Sequence, residues 1–160
     1  MSDKRFTVRV AQKGDALCIL KLIQGHPWTA SVNNTQDAVE YAVKNSQFCV
    51  VAVDDKGKII GFVACFFDGF VAIARRLAVS LEWADRKVEI AKAMLQLAID
   101  RLHIAFGQDS LDPEKGVRLQ YLADPGEQVE LGLALGFEVV EVNGEPALLM
   151  GLWTGSKAQL

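Results

Sequence analysis

Apolar and polar positions alternate from Phe6 to Val10, the pattern of a half-buried strand. The period then changes. Gly14-Asp15 opens a stretch whose apolar residues, Leu17, Leu20 and Ile23, fall at helical spacing and stop at Gly25. The segment from Gly25 to Asn34 carries His26, Pro27, Trp28 and two asparagines and reads as a loop, after which Thr35 caps a short helix running to about Asn45. Phe48 to Val53 is a continuous β-prone run, Asp54-Asp55-Lys56-Gly57 a tight turn, and Ile59 to Phe67 the return strand. Asp68-Gly69 turns the chain again into Phe70 to Val79, so three antiparallel strands follow in series.

No glycine or proline occurs from Phe70 to Phe106. Leu81, Ala84, Val88, Ala91, Leu95, Ala98 and Leu102 recur at alternating spacings of three and four, which predicts one long helix with Ser80 as its N-cap. A second reading starts the helix near Asp85, with Glu89 in its first turn where a carboxylate meets the positive end of the helix dipole. Beyond it, Gly116 precedes a strand from Val117 to Ala123, Pro125 starts a helix ending at Leu135-Gly136-Phe137, and Glu138 to Val142 with Ala147 to Trp153 form a final hairpin. The predicted order is β-α-α-β-β-β-α-β-α-β-β, a single α/β domain over residues 1–160.

Composition narrows the class further. With 51% hydrophobic and 23% charged residues, the 160-residue chain can bury a real core and is not intrinsically disordered. A formal charge of −3 argues against a nucleic-acid partner held by bulk charge. Cys18, Cys49 and Cys65 are odd in number, widely spaced and set in apolar runs, which fits reduced, core-packed thiols and a cytoplasmic setting. No His/Cys/Asp/Glu cluster has metal-ligand spacing. No apolar run approaches the roughly 18 residues of a membrane span.

Taken in order, these elements resemble the GNAT superfamily of acetyl-coenzyme A dependent N-acetyltransferases over nearly the whole chain. Val8-Arg9-Val10-Ala11 with Gly14-Asp15-Ala16 is similar to that family's opening strand and first helix. The hairpin from Val51 to Phe62, with Gly57 and Ile60-Gly61-Phe62, is similar to its second and third strands, Leu77-Ala78-Val79 to the end of its fourth, and Leu135-Gly136-Phe137-Glu138 to the corner that begins its sixth. The resemblance implies the GNAT fold, a mixed, mostly antiparallel twisted sheet flanked by helices. It also implies acetyl-CoA or another acyl-CoA as cofactor and an amine, small-molecule or protein, as acceptor.

In that family a loop of pattern Arg/Gln-x-x-Gly-x-Gly/Ala follows the fourth strand and holds the coenzyme diphosphate on backbone N–H groups. The resemblance places the cofactor-binding residues at Val79, Arg86, Lys87, Val88, Glu89, Ile90 and Ala91. Arg86 and Ala91 fit the pattern, whereas Glu89 stands where the first glycine belongs, and a carboxylate neither admits phosphate to the backbone nor adopts glycine's dihedrals. Mid-helix, these residues would have N–H groups already bonded to carbonyls four residues earlier.

The chemistry of transfer asks for a base and often an acid beside the aligned amine and thioester. The family's usual tyrosine acid falls at Gly132 here, which leaves Tyr121 on the neighbouring strand as the substitute. Asp68 and Glu82 are the carboxylates nearest the fourth strand by sequence, alongside their readings as an Asp-Gly turn residue and as first-turn dipole compensation. His26 and Trp28 lie in the loop where the family often lines its acceptor pocket, and Arg75-Arg76 stand where an acidic base is common. That pair is a candidate clamp for a substrate carboxylate or other anion, or simply one exposed and one groove residue. Trp83, off the apolar stripe, is a candidate interface anchor or a partly buried ring.

Two functions follow. One is an atypical N-acetyltransferase with an impaired or lost acetyl-CoA site. The other is a non-catalytic interaction or structural module, for example a subunit of a larger assembly such as a phage virion.

Overall fold

The computed structural model describes residues 4–26, 35–69, 71–106, 118–122, 127–142 and 145–152. The expected loop residues Pro27 and Trp28, and Trp153 at the C-terminal end, lie outside them. The strands are β1 (Phe6–Val10), β2 (Val50–Asp54), β3 (Ile59–Phe67), β4 (Val71–Val79), β5 (Arg118–Leu122), β6 (Glu138–Val142) and β7 (Glu145–Leu152). The α-helices are α1 (Ala16–Gln24), α2 (Gln36–Asn45), α3 (Lys87–Phe106) and α4 (Glu127–Ala134). They follow one another in the order the sequence predicts.

All seven strands share one sheet of spatial order β1-β2-β3-β4-β5-β7-β6. Only the β4–β5 pair is parallel; the other neighbours run antiparallel. Local chemistry fixes the joints. The Thr35 hydroxyl accepts from the Ala38 N–H at 3.2 Å and caps α2. Arg9 clasps Asp15 through two hydrogen bonds of 2.7 and 2.9 Å, tying β1 to the start of α1 and holding the Asp15 carboxyl below its ordinary range. At the end of α4, the Phe137 N–H reaches the Gly132 carbonyl and the Gly136 N–H the Leu133 carbonyl, each at 3.0 Å. This closure needs a left-handed residue, and Gly136 supplies it at φ 90°.

Two cores sandwich the sheet. On one face α3 lays Ile90, Met94, Leu95, Ala98, Ile99 and Leu102 against Val50, Ala52, Ile60, Ala74, Leu77 and Val79. On the other, α1 and α2 set Ile19, Ile23, Val39 and Val43 against Val51, Val53, Phe62 and Ala64. Strands covered on both faces read as unbroken apolar runs, which is why β2 and β3 lack polar alternation. Gly61 lets α3 approach the sheet closely: a Cβ there would stand 3.0 Å from the Met94 Sδ and Cε and 3.1 Å from the Ala52 Cβ.

One irregularity shapes β4. Phe62 pairs with Ala78 and Ala64 with Arg75, so Val63 alone faces the two residues Arg76 and Leu77. Arg76 takes the left-handed conformation at φ 53°, which costs an ordinary residue about 1–2 kcal/mol. The bulge resets the alternation of faces: Ala72 and Ala74 point toward α3, and after it Leu77 and Val79 do so again.

Candidate functional site

The path from β4 into α3 is not the single helix from Ser80; it lies close to the second reading, with the helix starting near Asp85 and Glu89 in its first turn. A 3-10 turn spans Leu81–Arg86, and the α-helix begins at Lys87. Trp83 breaks the helical path at φ −116°, ψ 19° and drops its ring inward, leaving it 6% exposed and edge-on to Phe6 at 6.3 Å. Leu81 is 61% exposed in consequence, and Ala84 is exposed too, so the apolar stripe of the α3 core starts only beyond them. Burying an indole removes more apolar surface from water than burying Leu81 would, which favours the inward turn of Trp83.

No open loop separates this turn from α3. The Trp83 N–H donates to the Ser80 carbonyl at 2.9 Å, and the Lys87 N–H to the Ala84 carbonyl. A helix entered from a loop presents unbonded N–H groups at its start; one entered from a preceding helical turn has carbonyls waiting for them. Arg86 folds back on its own helix. Its guanidinium donates to both Glu89 oxygens at 2.7 and 2.9 Å and to the Lys4 carbonyl, and lies over the Phe6 and Trp83 rings at 5.2 and 5.7 Å. The hydrogen bonds from Arg86 hold the exposed Glu89 carboxyl below its usual range. Of the other residues predicted here, Val79, Ile90 and Ala91 turn their side chains into the α3 core, and Lys87 and Val88 are half-buried.

The sheet itself opens beside this turn. Pairing of β4 with β5 ends at Arg75 opposite Leu122, so among the described residues Arg76–Val79 have no strand neighbour on that side. Gln128 of α4 fills the gap: it is 1% exposed, and its Nε2 donates to the Leu77 carbonyl at 3.0 Å. Sequence reasoning missed this residue, although a lone amide beside Val129 and Leu131 is the kind of signal that marks a buried polar bond.

The remaining predicted residues divide among three places. His26 and Glu82 come together, with Cys18, Lys21, Lys58 and Ser80, around a cavity of about 400 Å³ at the C-terminal end of β4 on the α1 face. His26 is buried, while Glu82 is exposed and bridges to Lys58 at 3.3 Å. Arg75 borders a second cavity farther along the same face. Tyr121 belongs to neither, being fully buried in the α3-side core with its ring 5.7 Å from that of Phe137.

The thiols also separate. Cys49 and Cys65 are buried as expected, and burial pushes the Cys65 thiol up to about 12, which rules it out as a nucleophile at neutral pH. Cys18 is exposed, contrary to the core packing expected of it, because Ala16, Ile19, Leu20 and Ile23 take the inward face of α1. Among the described residues there is no cluster of three or more metal-ligating side chains and no helix long and apolar enough to cross a membrane.

No protein-family model matches the sequence, and no curated protein matches it. Solved structures do match in fold. The PaiA N-acetyltransferase of Thermoplasma acidophilum, solved with coenzyme A, superposes with a TM-score of 0.72 at 15% identity over 93% of this chain and 99% of its own. Diaminobutyrate acetyltransferase EctA of Paenibacillus lautus, solved with L-2,4-diaminobutyric acid and coenzyme A, gives 0.66 at 15% identity over 93% and 95%. N-acetylglutamate synthase of Neisseria gonorrhoeae, solved with coenzyme A and N-acetyl-glutamate, gives 0.67 at 18% identity over 92% of this chain and 35% of the synthase.

Proposed function

This chain has the GNAT fold, and we propose that it is an acetyltransferase-like protein whose acyl-coenzyme A site is impaired by its own residues. One observation carries the reading. Where a diphosphate would need free main-chain donors and an available arginine, the chain places a 3-10 turn, kinked at Trp83, that runs straight into α3, and Arg86 is chelated by Glu89. A dianionic group arriving there must displace a carboxylate already in bidentate contact with the only arginine of the motif. An extended arm with amide groups laid along the open edge of β4 must likewise displace Gln128 from the Leu77 carbonyl. The residues present do not fit the coenzyme in this arrangement.

His26, Glu82 and Ser80 border a cavity of a size that admits a small amine, and they form the acceptor side in this reading. Tyr121, enclosed in the core, serves packing in it. The test is calorimetric titration of the unmodified protein with acetyl-CoA. We expect no saturable heat below millimolar ligand, whereas a micromolar dissociation constant would restore the chain to the coenzyme-dependent transferases. Loss of all binding up to solubility would favour the second reading, a non-catalytic module built on the same fold.

A further inference from the structure

The 3-10 turn that leads into α3 is held from the opposite end of the chain. Trp83 is its one buried residue, while Leu81, Glu82, Ala84 and Asp85 are exposed. What covers that ring comes from the residues that enter β1. The Lys4 Nζ donates to the Glu82 carbonyl at 3.0 Å and stands 5.3 Å from the centre of the Trp83 ring. Phe6 meets the same ring edge-on, and the Arg86 guanidinium, which lies over both rings, donates to the Lys4 carbonyl. Each segment thus supplies one cation and one ring to a shared cluster. On the β1 side the hold is slight: Lys4 and Arg5 are exposed, Phe6 is half-buried, and β1 is an edge strand with β2 as its neighbour among the described strands.

We infer that Lys4–Phe6 form an autoinhibitory strap, which when docked pins the 3-10 turn closed and occupies Arg86, and when undocked lets the turn open and Arg86 reach an anion. The inference rests on the reading that this turn obstructs an acyl-coenzyme A site. The coupling is geometric. Lys4 cannot leave without uncovering Trp83, releasing the Glu82 carbonyl and removing an acceptor from Arg86. Trp83 is also where the backbone departs from helical dihedrals, so the contact that holds its ring holds the kink between the turn and α3. Cation–ring contacts and hydrogen bonds at this exposure are each worth only a few-fold in an equilibrium. Together they bias a two-state element without fixing it, because the factors multiply while each contact stays easy to break. Segments fastened in this way open locally at far lower cost than the whole fold.

The test uses the full chain in two variants. Lys4→Ala removes the amine from the cluster, and two glycines inserted between Arg5 and Phe6 carry the Lys4 carbonyl away as well while leaving the side chains of β1 in place. Amide hydrogen exchange without ligand reads the turn. We expect the Trp83 and Lys87 amides, which donate to Ser80 and Ala84, to exchange about threefold faster in Lys4→Ala and roughly tenfold faster in the inserted chain, with Met94 to Leu102 unchanged. Inorganic diphosphate, titrated while the Arg86 Nε–H resonance is followed, should bind the inserted chain about threefold or more tightly than the unmodified one. Unchanged exchange in the inserted chain, or a rise shared equally by Met94 to Leu102, would overturn the strap. Faster exchange at the turn with no gain in diphosphate affinity would overturn its inhibitory role. The exchange measurement contains no coenzyme, so a micromolar acetyl-CoA constant in the unmodified protein, which defeats the reading of the site, is a separate result.

Discussion

Met94→Ala is expected to lower the unfolding free energy by about 2–5 kcal/mol, the range for truncating a fully buried side chain of this size. Met94 has no exposed surface and is the α3 residue that meets Gly61 of β3. The effect should appear in urea unfolding as a lower midpoint with an unchanged slope. A double-mutant cycle makes the contact itself testable. Gly61→Ala alone drives a Cβ to within 3.0 Å of the Met94 thioether and 3.1 Å of the Ala52 methyl, an overpacking that costs about 1–3 kcal/mol. In the Met94→Ala background the same methyl enters vacated space and should cost less. The two changes should therefore couple by roughly 0.5–3 kcal/mol. Additivity would mean that α3 does not sit on Gly61.

Glu89→Gly should tighten acetyl-CoA binding at least tenfold, about 1.4 kcal/mol. It releases Arg86 and places a residue at the start of α3 that admits phosphate to the backbone. Loss of helix propensity should lower stability by about 1 kcal/mol, so affinity and stability move in opposite directions. Gln128→Ala acts on the other half of the cleft. It strands the Leu77 carbonyl and should destabilise the free protein by about 1–3 kcal/mol, while opening the β4 edge to a ligand. The double variant is expected to bind acetyl-CoA more tightly than either single one, and thermal shifts measured with and without ligand would show it. If Glu89→Gly lowers stability with no gain in affinity, the pair with Arg86 is not what obstructs the site.

Most of the fold was legible because it rests on local chemistry. Thr35 as a cap, Gly57 in a hairpin turn and Leu135-Gly136-Phe137 as a helix stop each impose a conformation on their own neighbours, and each stands where the pattern predicts. The start of α3 was legible only as one of two alternatives, since Leu81 and Ala84 satisfy the helical spacing and only the packing of Trp83 on Phe6 reveals that they stay outside and that the start near Asp85 holds. The β4 bulge was hidden for a related reason. Arg75-Arg76 carries no glycine or asparagine to announce a left-handed residue, and the offset is set by the register with β3.

The candidate site was legible only in part. The Glu89 substitution in the phosphate-loop pattern is visible in one dimension, but its bidentate hold on Arg86 needs the geometry. Likewise His26 and Glu82 share a cavity only because α1 lies against the end of β4. Gln128 gave the weakest signal. Its role depends on where β5 stops pairing with β4, which is decided by the whole sheet and by no local motif.

Coenzyme binding turns on the state of the main-chain donors where the 3-10 turn meets α3. The direct measurement is an amide proton–nitrogen correlation spectrum of the unmodified protein, following Lys87 to Ala91 as acetyl-CoA is added. We predict that these amides keep their positions through millimolar ligand, because a 3-10 turn runs straight into them and already holds the Lys87 N–H on the Ala84 carbonyl. Saturable downfield shifts of Val88 through Ala91 at micromolar acetyl-CoA, the mark of N–H groups gripping a diphosphate, would contradict it.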